Sequence, residues 1–371
     1  MTKPDFAEKE VLRYLACRPR EFVEGVISVD ESTPFKVELA AIGRKAQSCL
    51  GLLDKLPLEI VYECFSNLDI LSLLRLSRVC LRARTVVRGL PTFKRVIKHT
   101  GHTFQTLQKT RILSLHSVAV LDAALRSDRC ASCDSFGPFL FLPSAERCCA
   151  NCLVENQSLW MMSTAMAHEC FALTSEQVQA LPTTIRSIPG KYTISNVVVR
   201  KRAQYLTSAR AAKVAALQYY GSLEDIPVHL PGFPNRKMSL YIHLQQAPLL
   251  PLSQEYRSRS NLLARPEDSF GGMGAIPFPS LLDGRVERGL WCRGCEYTWE
   301  KHCLEGLEPE LLARCVPENV LSHSHFKRMR AMAWTRSEMV EHAKVCLSAE
   351  DVISNKWRKG MHERYLSDGS D

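Results

Sequence analysis

Residues 53–80 of this 371-residue chain read LDKLPLEIVYECFSNLDILSLLRLSRVC. Leu56-Pro57 suits a helix start, because the first turn of a helix leaves its N–H groups unpaired and proline has none to lose. We expect Asn67 to end the first helix in a left-handed conformation and Asp69 to cap the second through its side-chain oxygen. The apolar spacing therefore predicts three or four short helices from Leu52 to about Lys98.

The second of these helices is apolar around more than one face. Its apolar residues are Ile70, Leu71, Leu73, Leu74, Leu76 and Val79. So much apolar surface on a short helix needs burial on two sides. One side can be covered by the chain's own core, and the other indicates a partner.

The stretch from residue 52 to residue 98 resembles an F-box. The matching features are Leu56-Pro57, Glu59-Ile60, Phe65, Leu68, the Leu-rich second helix, Val79-Cys80 with Arg82 and Arg84, and the later Leu90-Pro91 with Phe93-Lys94. Ala83 departs from the pattern, since the family often has Trp there.

The resemblance implies binding to the Skp adaptor of SCF-type cullin ubiquitin ligases through an apolar groove. The residues expected to make or support this contact are Leu56, Pro57, Ile60, Leu68, Leu74, Val79 and Cys80. The alternative is a three-helix core with no partner.

The net charge of +9 comes from one segment of the chain. No Asp or Glu occurs between Ile70 and Leu121, and the remainder of the chain is close to neutral. The basic residues of this window are Arg75, Arg78, Arg82, Arg84, Arg88, Lys94, Arg95, Lys98, Lys109 and Arg111. A solvated face is the commoner origin of such a run, so we do not expect nucleic acid as a partner.

Two Cys-x-x-Cys pairs, Cys130/Cys133 and Cys149/Cys152, are separated by fifteen residues. This spacing predicts a tetrahedral Cys₄ zinc site, in which each short turn supplies two thiolates. Cys148 competes with Cys149, which we prefer because its spacing to Cys152 matches the first pair. Four thiolates leave no position for water, so the site is expected to be structural. The alternative is a set of buried free cysteines.

A second set begins at Cys292-Arg293-Gly294-Cys295, where Gly294 relieves backbone crowding. Residues 335–338 read as a capping box, and the helix that they open places His342 and Cys346 four residues apart on one face. Joining both halves gives a second zinc site with 46 residues between them.

Other residues compete to complete this second site. His302 with Cys303, or His323 with His325, would give a more local arrangement. We prefer His342 and Cys346, because that pairing would tie the loop-rich segment before Cys292 to the last helix.

The later motifs resemble those of a group of filamentous-fungal F-box proteins. These motifs are the Cys-x-x-Cys cluster, Pro189-Gly190-Lys191-Tyr192, an Ala-rich helix ending at Gly221-Ser222, and a late Trp-Cys-x-Gly-Cys. This looser resemblance supports two metal-supported regions and says nothing about a substrate.

The sequence thus predicts an α+β fold that is mainly helical, with a small helical F-box module followed by an irregular, zinc-supported mixed domain. The expected divisions are a loosely defined N-terminal arm (1–51), the F-box-like module (52–98), a Cys₄ zinc-containing helical region (99–224), a loop-rich region with the second zinc site and a C-terminal helix (225–366), and a polar tail (367–371).

The leading functional prediction is an interaction protein, namely the substrate-recognition subunit of a cullin ubiquitin ligase that leads to degradation of a protein target. Glycine-rich phosphate loops, Gly-x-Ser-x-Gly and His-Glu-x-x-His are absent from the sequence, so we expect no catalysis by the chain itself. The alternative is a zinc-dependent nucleic-acid-binding or transcription-related protein, which would place the basic residues on the zinc units. A RING-type ligase would need eight interleaved ligands in one compact segment.

The expected surroundings follow from the fifteen cysteines. Cys-x-x-Cys pairs in a chain that starts without an apolar signal core indicate metal ligation in a reducing compartment. We therefore expect the cytoplasm or the nucleus, two structural zinc ions and no membrane contact.

Overall fold

The computed structural model describes residues 6–28, 48–194, 197–222, 224–226, 244, 270–318 and 320–354. Short helices outnumber short strands in these ranges, so the fold is α+β and mainly helical, as predicted. The strands form small antiparallel sheets of two or three strands. Among the described residues, no helix has both the length and the apolar character needed to cross a bilayer.

The N-terminal segment is short but ordered into elements. They are α1 (Glu8–Glu10), a π-helical turn (Val11–Leu15), β1 (Ala16–Cys17) and α2 (Arg20–Val23). Val11, Leu15 and Val26 are fully buried. Residues 6–28 of the expected arm therefore belong to the packed body of the protein.

Five helices follow a 3₁₀ turn at Gly51–Lys55. They are α3 (Leu58–Ser66), α4 (Ile70–Val79), α5 (Leu81–Gly89), α6 (Pro91–His99) and α7 (Gly101–Lys109). Asp69 caps α4, as predicted, by accepting a hydrogen bond from the Ser72 N–H at 2.9 Å. The expectation for Asn67 is wrong, because its φ of −81° is right-handed. Its side-chain amide donates to the Glu63 carbonyl at 2.9 Å, which satisfies a helix-end acceptor without a left-handed turn.

The middle of the chain mixes short helices and strands. They are α8 (Val118–Leu125), β2 (Phe139–Phe141), β3 (Glu146–Cys148), α9 (Ala150–Glu155), β4 (Met161–Ser163), α10 (Thr164–Phe171), α11 (Ser175–Ala180), β5 (Ile185–Arg186), β6 (Gly190–Tyr192), β7 (Val198–Arg200), β8 (Tyr205–Ser208) and α12 (Ala209–Tyr220).

The C-terminal part opens with a 3₁₀ turn at Gly271–Gly274. Its elements are β9 (Ala275–Pro277), β10 (Ser280–Leu282), β11 (Arg285–Glu287), β12 (Leu290–Cys292), α13 (Arg293–Leu304), α14 (Pro309–Cys315), α15 (Ser322–Arg330), β13 (Ala333–Trp334), α16 (Arg336–Ala343) and α17 (Ala349–Ile353).

Two three-stranded sheets join distant parts of the chain. In one, β12 lies between β1 and β13, with Ala16 opposite Cys292 and Leu290 opposite Trp334. In the other, β2 lies between β3 and β9, with Phe139 opposite Cys148. Each sheet therefore ends beside one of the cysteine motifs.

The largest hydrophobic core is continuous from the F-box-like helices into the middle region. It contains Phe65 and Phe93 of those helices, Phe139 of β2 and Trp291 of β12. Phe22 of the N-terminal segment stacks on Trp291 with the ring centroids 5.8 Å apart. A smaller cluster holds Val11 and Leu15 against the end of β12 and against α16 and α17.

Candidate metal centres and adaptor surface

The two Cys-x-x-Cys turns of the middle region meet at one point. The Sγ atoms of Cys130, Cys133, Cys149 and Cys152 all lie within 4.8 Å of one another. The β2–β3 hairpin carries the chain back to Cys149, whose Sγ caps α9 by accepting from the Cys152 N–H at 3.4 Å. The fold thus assembles the four sulfur atoms named from the sequence, and we call them the first cysteine group.

Cys148 does not join this group. Its thiol is fully buried and lies 3.8 Å from the Phe139 carbonyl oxygen, to which it donates. Burial raises the pKa of the Cys148 thiol well above its usual value. Cys148 is therefore a neutral core residue, while Cys149 takes the position beside the other sulfur atoms.

The first cysteine group favours negative charge at one of its sulfur atoms. Hydrogen bonds from the thiols of Cys130, Cys149 and Cys152 lower the pKa of the half-buried Cys133 thiol. The Sγ atoms of Cys133 and Cys149 lie 3.6 Å apart. Thiolates packed this closely repel one another unless a cation lies between them, and four such donors are typical of structural zinc. The group can therefore hold a metal ion.

The second set combines two halves that are distant in sequence. Ligand atoms of Cys292, Cys295, His342 and Cys346 all lie within 4.8 Å of one another, and we call them the second ligand group. Cys292 Sγ is 3.6 Å from Cys346 Sγ, and Cys295 Sγ is 3.2 Å from His342 Nε2. Hydrogen bonds from Cys292 and Cys295 lower the pKa of the Cys346 thiol. Three sulfur atoms and one imidazole nitrogen also fit zinc.

Local structure explains why these residues converge. Gly294 lies so close to the other half that a Cβ there would be 2.6 Å from Cys346 Sγ, which accounts for glycine between the two cysteines. Thr335 and Glu338 form the predicted capping box of α16. Trp334 stacks on the His342 ring with the centroids 4.6 Å apart and so orients the imidazole.

The alternative histidines lie outside this second ligand group. His302 Nε2 is 3.3 Å from Ser322 Oγ, and its ring packs against Phe326. His323 packs against Trp299 with the ring centroids 4.5 Å apart. In the described ranges, the two groups defined above are the sets of three or more His, Cys, Asp or Glu residues whose ligand atoms converge.

The two groups are joined by polar contacts. Arg129, the residue before Cys130, makes an ion pair with Glu338 of α16 at 2.7 Å. The Asn151 side-chain amide of α9 donates to the Arg328 carbonyl of α15 at 3.0 Å. A metal ion bound at one group would therefore also stabilise the elements that hold the other group.

The N-terminal segment supports the second ligand group, and the sequence reasoning missed this role. Arg330 of α15 makes ion pairs with Glu296 of α13 and with Glu21 of α2. Burial raises the pKa of the Glu296 carboxyl, while Arg330 opposes this shift. The helical spacing of Val11 and Leu15 was the available signal, but nothing local identified β12 as their partner.

The F-box-like module carries exposed apolar side chains at its start and at the end of α4, two stretches that the Arg82–Asp54 ion pair and the Cys80–Cys49 hydrogen bond bring to one edge. Leu52 is 77% exposed and Val79 is 74% exposed. The other exposed apolar residues on this edge are Leu53, Leu56, Pro57, Leu58 and Ile60. We call this set the apolar edge.

The remaining predicted adaptor residues are less exposed. Leu68 and Leu74 are half-buried and pack against the main core. Cys80 is the N-cap of α5, and its Sγ accepts from the Ala83 N–H at 3.3 Å. These three residues can support the apolar edge from behind.

Residues 53–95 match the F-box domain family, which agrees with the resemblance found in the sequence. An F-box domain indicates a substrate-adaptor role in an SCF-type ubiquitin ligase, and proteins with this domain are generally adaptor subunits rather than enzymes. No curated protein matches the chain. No solved structure matches it either.

Proposed function

We propose that this chain is the substrate-recognition subunit of an SCF-type cullin ubiquitin ligase, in which the F-box domain binds a Skp-type adaptor. The apolar edge of this domain is the single observation that carries the proposal. Leu52 and Val79 are each about three-quarters exposed within the matched region or next to it. Large apolar side chains grouped on a surface mark sites where a partner covers them.

The form of the edge suits a groove-binding contact. Leu56 and Pro57 precede α3, Ile60 lies in its first turn, and Val79 ends α4. Short helices and turns that present several apolar anchors can bind a groove on a partner, with a few central anchors supplying most of the affinity. Leu68 and Leu74 pack on the core beneath, so the anchors are presented in a fixed arrangement.

The target would be recognised by the region that follows the F-box domain. The first cysteine group and the second ligand group would each hold one structural zinc ion there, because four ligands close the coordination shell. Zinc would add folding free energy to this region, which is built from helices and from strands of at most four residues. Ubiquitin transfer itself would occur on other subunits, and the complex would act in the cytoplasm or the nucleus.

Binding to a purified Skp-type adaptor tests the proposal. Leu56→Ala combined with Pro57→Ala removes two anchors, each typically worth about 1–4 kcal/mol, so we expect affinity to fall at least about tenfold. Val79→Ala should weaken binding in the same direction. Val199→Ala is the matched control, because Val199 is also exposed but lies on the β6–β7 hairpin.

The outcome must separate binding from folding. Circular dichroism and thermal unfolding should be unchanged in all these variants, since the altered side chains face solvent. Full adaptor affinity in the Leu56/Pro57 double variant and in Val79→Ala would refute the proposal. Affinity lost equally in Val199→Ala would show that the apolar edge is not the interface.

A further inference from the structure

A cavity of about 450 Å³ lies between α12, the β2–β3 hairpin and the turn that precedes β5. Apolar side chains line much of it, among them Leu181 and Pro182 of the turn and Val214 and Ala215 of α12. None of its lining residues belongs to the apolar edge, to the first cysteine group or to the second ligand group. The cavity therefore lies in the region that follows the F-box domain and is separate from the sites described above.

One hydroxyl at this cavity has no hydrogen-bond partner among the described residues. Thr183 lines the cavity, and its Oγ1 atom is buried and unpaired. The hydroxyl of the next residue, Thr184, donates to the Val178 carbonyl at 2.5 Å. A buried hydroxyl without a partner costs free energy. A polar atom of a ligand in the cavity would supply the partner that Thr183 lacks.

Two charged side chains also line the cavity, namely Arg210 of α12 and Glu146 of β3. Neither makes an ion pair with the other or with any other described residue. Both are only partly exposed. An unpaired guanidinium at a cavity can bind a carboxylate through two parallel hydrogen bonds.

Further positive charge lies at the opposite end of the β5–β8 pair. Arg186 lies opposite Tyr205, and Arg111 donates to the Tyr205 hydroxyl at 3.2 Å. The Arg186 N–H donates to the Thr110 carbonyl at 2.9 Å, so Lys109 and Arg111 are brought next to Arg186. These three basic side chains are exposed and make no ion pair with a described residue. We call them the basic rim.

One extended segment could contact both the cavity and the basic rim. Strand β8 runs from Tyr205, beside the rim, to Ser208, which lines the cavity. Four residues of a strand span only about 10 Å. The sequence between Glu176 and Glu224 contains no acidic residue, so the segment that includes β5, β8 and the start of α12 does not neutralise this charge itself. Unpaired cations beside an apolar cavity are complementary to an acidic ligand that also carries apolar groups.

We propose that this surface binds an extended acidic segment of the protein target. An apolar side chain of the segment enters the cavity, one of its carboxylates binds Arg210, and others lie against the basic rim. A nucleic acid shares the negative charge but offers no aliphatic side chain for the apolar walls. This inference rests on the proposed function, because it names the chemistry of the target that the region after the F-box domain would hold.

Fluorescence anisotropy with the full chain tests the proposal. The probes are labelled twelve-residue peptides that mix Asp and Glu with Leu, Val or Phe in different orders, and the reference peptides carry Asn and Gln instead of Asp and Glu. At least one acidic peptide should bind, its neutral counterpart should bind at least tenfold more weakly, and affinity should fall as salt concentration rises. A single-stranded DNA of equal charge should also bind at least tenfold more weakly.

Substitutions at the cavity give opposite signs. Arg210→Gln should weaken binding of the acidic peptide about tenfold, because it removes a charged donor. Glu146→Gln should strengthen it about threefold, because it removes a carboxylate that repels the peptide. Thr183→Val should weaken it about threefold, and Thr183→Ser should restore it.

The basic rim is tested by a triple variant and a control of equal charge. The rim variant carries Lys109→Gln, Arg111→Gln and Arg186→Gln, and should bind the acidic peptide at least tenfold more weakly. The control carries Lys94→Gln, Lys98→Gln and Arg285→Gln, which are exposed on other elements, and should bind it as the unaltered chain does. Both variants should fold normally, because the altered side chains face solvent.

Adaptor binding measured on the same samples separates this proposal from the proposed function. It should be unchanged in every variant, since none of them alters the apolar edge. A chain that binds the adaptor but none of the acidic peptides would overturn this inference alone, whereas a chain that binds a peptide but not the adaptor would overturn the proposed function alone. Equal affinity for acidic peptides and for DNA or neutral peptides, or equal losses in the rim variant and its control, would also overturn the inference.

Discussion

Replacing Arg147 by Met should destabilise the region around the first cysteine group. Arg147 is buried and its guanidinium donates to four backbone carbonyls, with distances of 2.8–3.0 Å. These carbonyls belong to Gly137, Ala124, Pro279 and Phe278. Arg147 lies two residues before Cys149. Its side chain therefore joins the end of α8, the turn before β2 and the β9–β10 connection.

Two opposing effects set the size of the loss. Four buried carbonyls would lose their hydrogen-bond donor, and each loss would lower the free energy of unfolding by about 1 kcal/mol. Burying the guanidinium itself is costly, as shown by the fall in the Arg147 pKa to about 10 that its burial causes. Met retains most of the apolar stem, so we expect a net loss of about 3 kcal/mol in the free energy of unfolding. At about 2.1 cal/mol/K of unfolding entropy per residue, a chain of this size would show a fall of about 4 °C in Tm.

Denaturant unfolding and hydrogen exchange check this expectation. Exchange should rise at β2, β3 and α9, and Arg147→Lys should recover only part of the stability, because an ammonium cannot span four carbonyls. Arg285→Met is the control, since Arg285 is exposed. A loss in Arg147→Met no larger than in Arg285→Met would refute the reasoning.

Zinc content can be measured by mass spectrometry on protein purified under reducing conditions. It distinguishes residues that bind the metal from residues that only lie near it. The chain should hold about two ions; Cys133→Ser should remove one and increase exchange in the middle region, whereas Cys148→Ser should keep both. A metal-free chain would contradict both assignments. In the second ligand group, Cys295→Ser and His342→Ala should each lose the same single ion and increase exchange across β12 and α16. If His302→Ala loses that ion while His342→Ala retains it, the site is local and the long-range pairing is wrong.

Local sequence signals predicted the helical elements well. The capping boxes and N-caps depend on side chains within a few residues, so Asp69 and Thr335 could be assigned from the sequence alone. Asn67 was misjudged because its side chain found an acceptor one turn back, at Glu63. Competition between a backbone conformation and a side-chain hydrogen bond is not visible in a residue's type.

The ligand groups were predictable for a different reason. A Cys-x-x-Cys turn places two sulfur atoms together by geometry alone, and two such turns need only one hairpin to meet. Cys292 and Cys295 required a partner far along the chain, and the capping box at Thr335 located its helix. By contrast, the role of Arg147 depends on carbonyl groups that every residue carries, and so no sequence pattern could reveal it.

Specific contacts fix the connection between the F-box domain and the region that holds the first cysteine group and the second ligand group. Arg95 of α6 makes two hydrogen bonds of 2.8 Å to Asp122 of α8, whose side chain is fully buried and also pairs with Arg126 at 3.0 Å. The Val118 N–H donates to the Leu68 carbonyl at 3.0 Å, which fixes the start of α8 against the end of α3.

Arg147 continues this path from the other end of α8. Its bond to the Ala124 carbonyl links that helix to β3 and hence to Cys149. The hydrophobic core also runs without a break across the same elements. In the proposed ligase, a target bound by the region that holds the two ligand groups would therefore stand at a set distance from the apolar edge. A rigid spacing of this kind raises the effective concentration of a bound target at the ligase more than a flexible tether would. A flexible tether would leave the target many orientations, and the entropy of these orientations would be lost when the target meets the ligase.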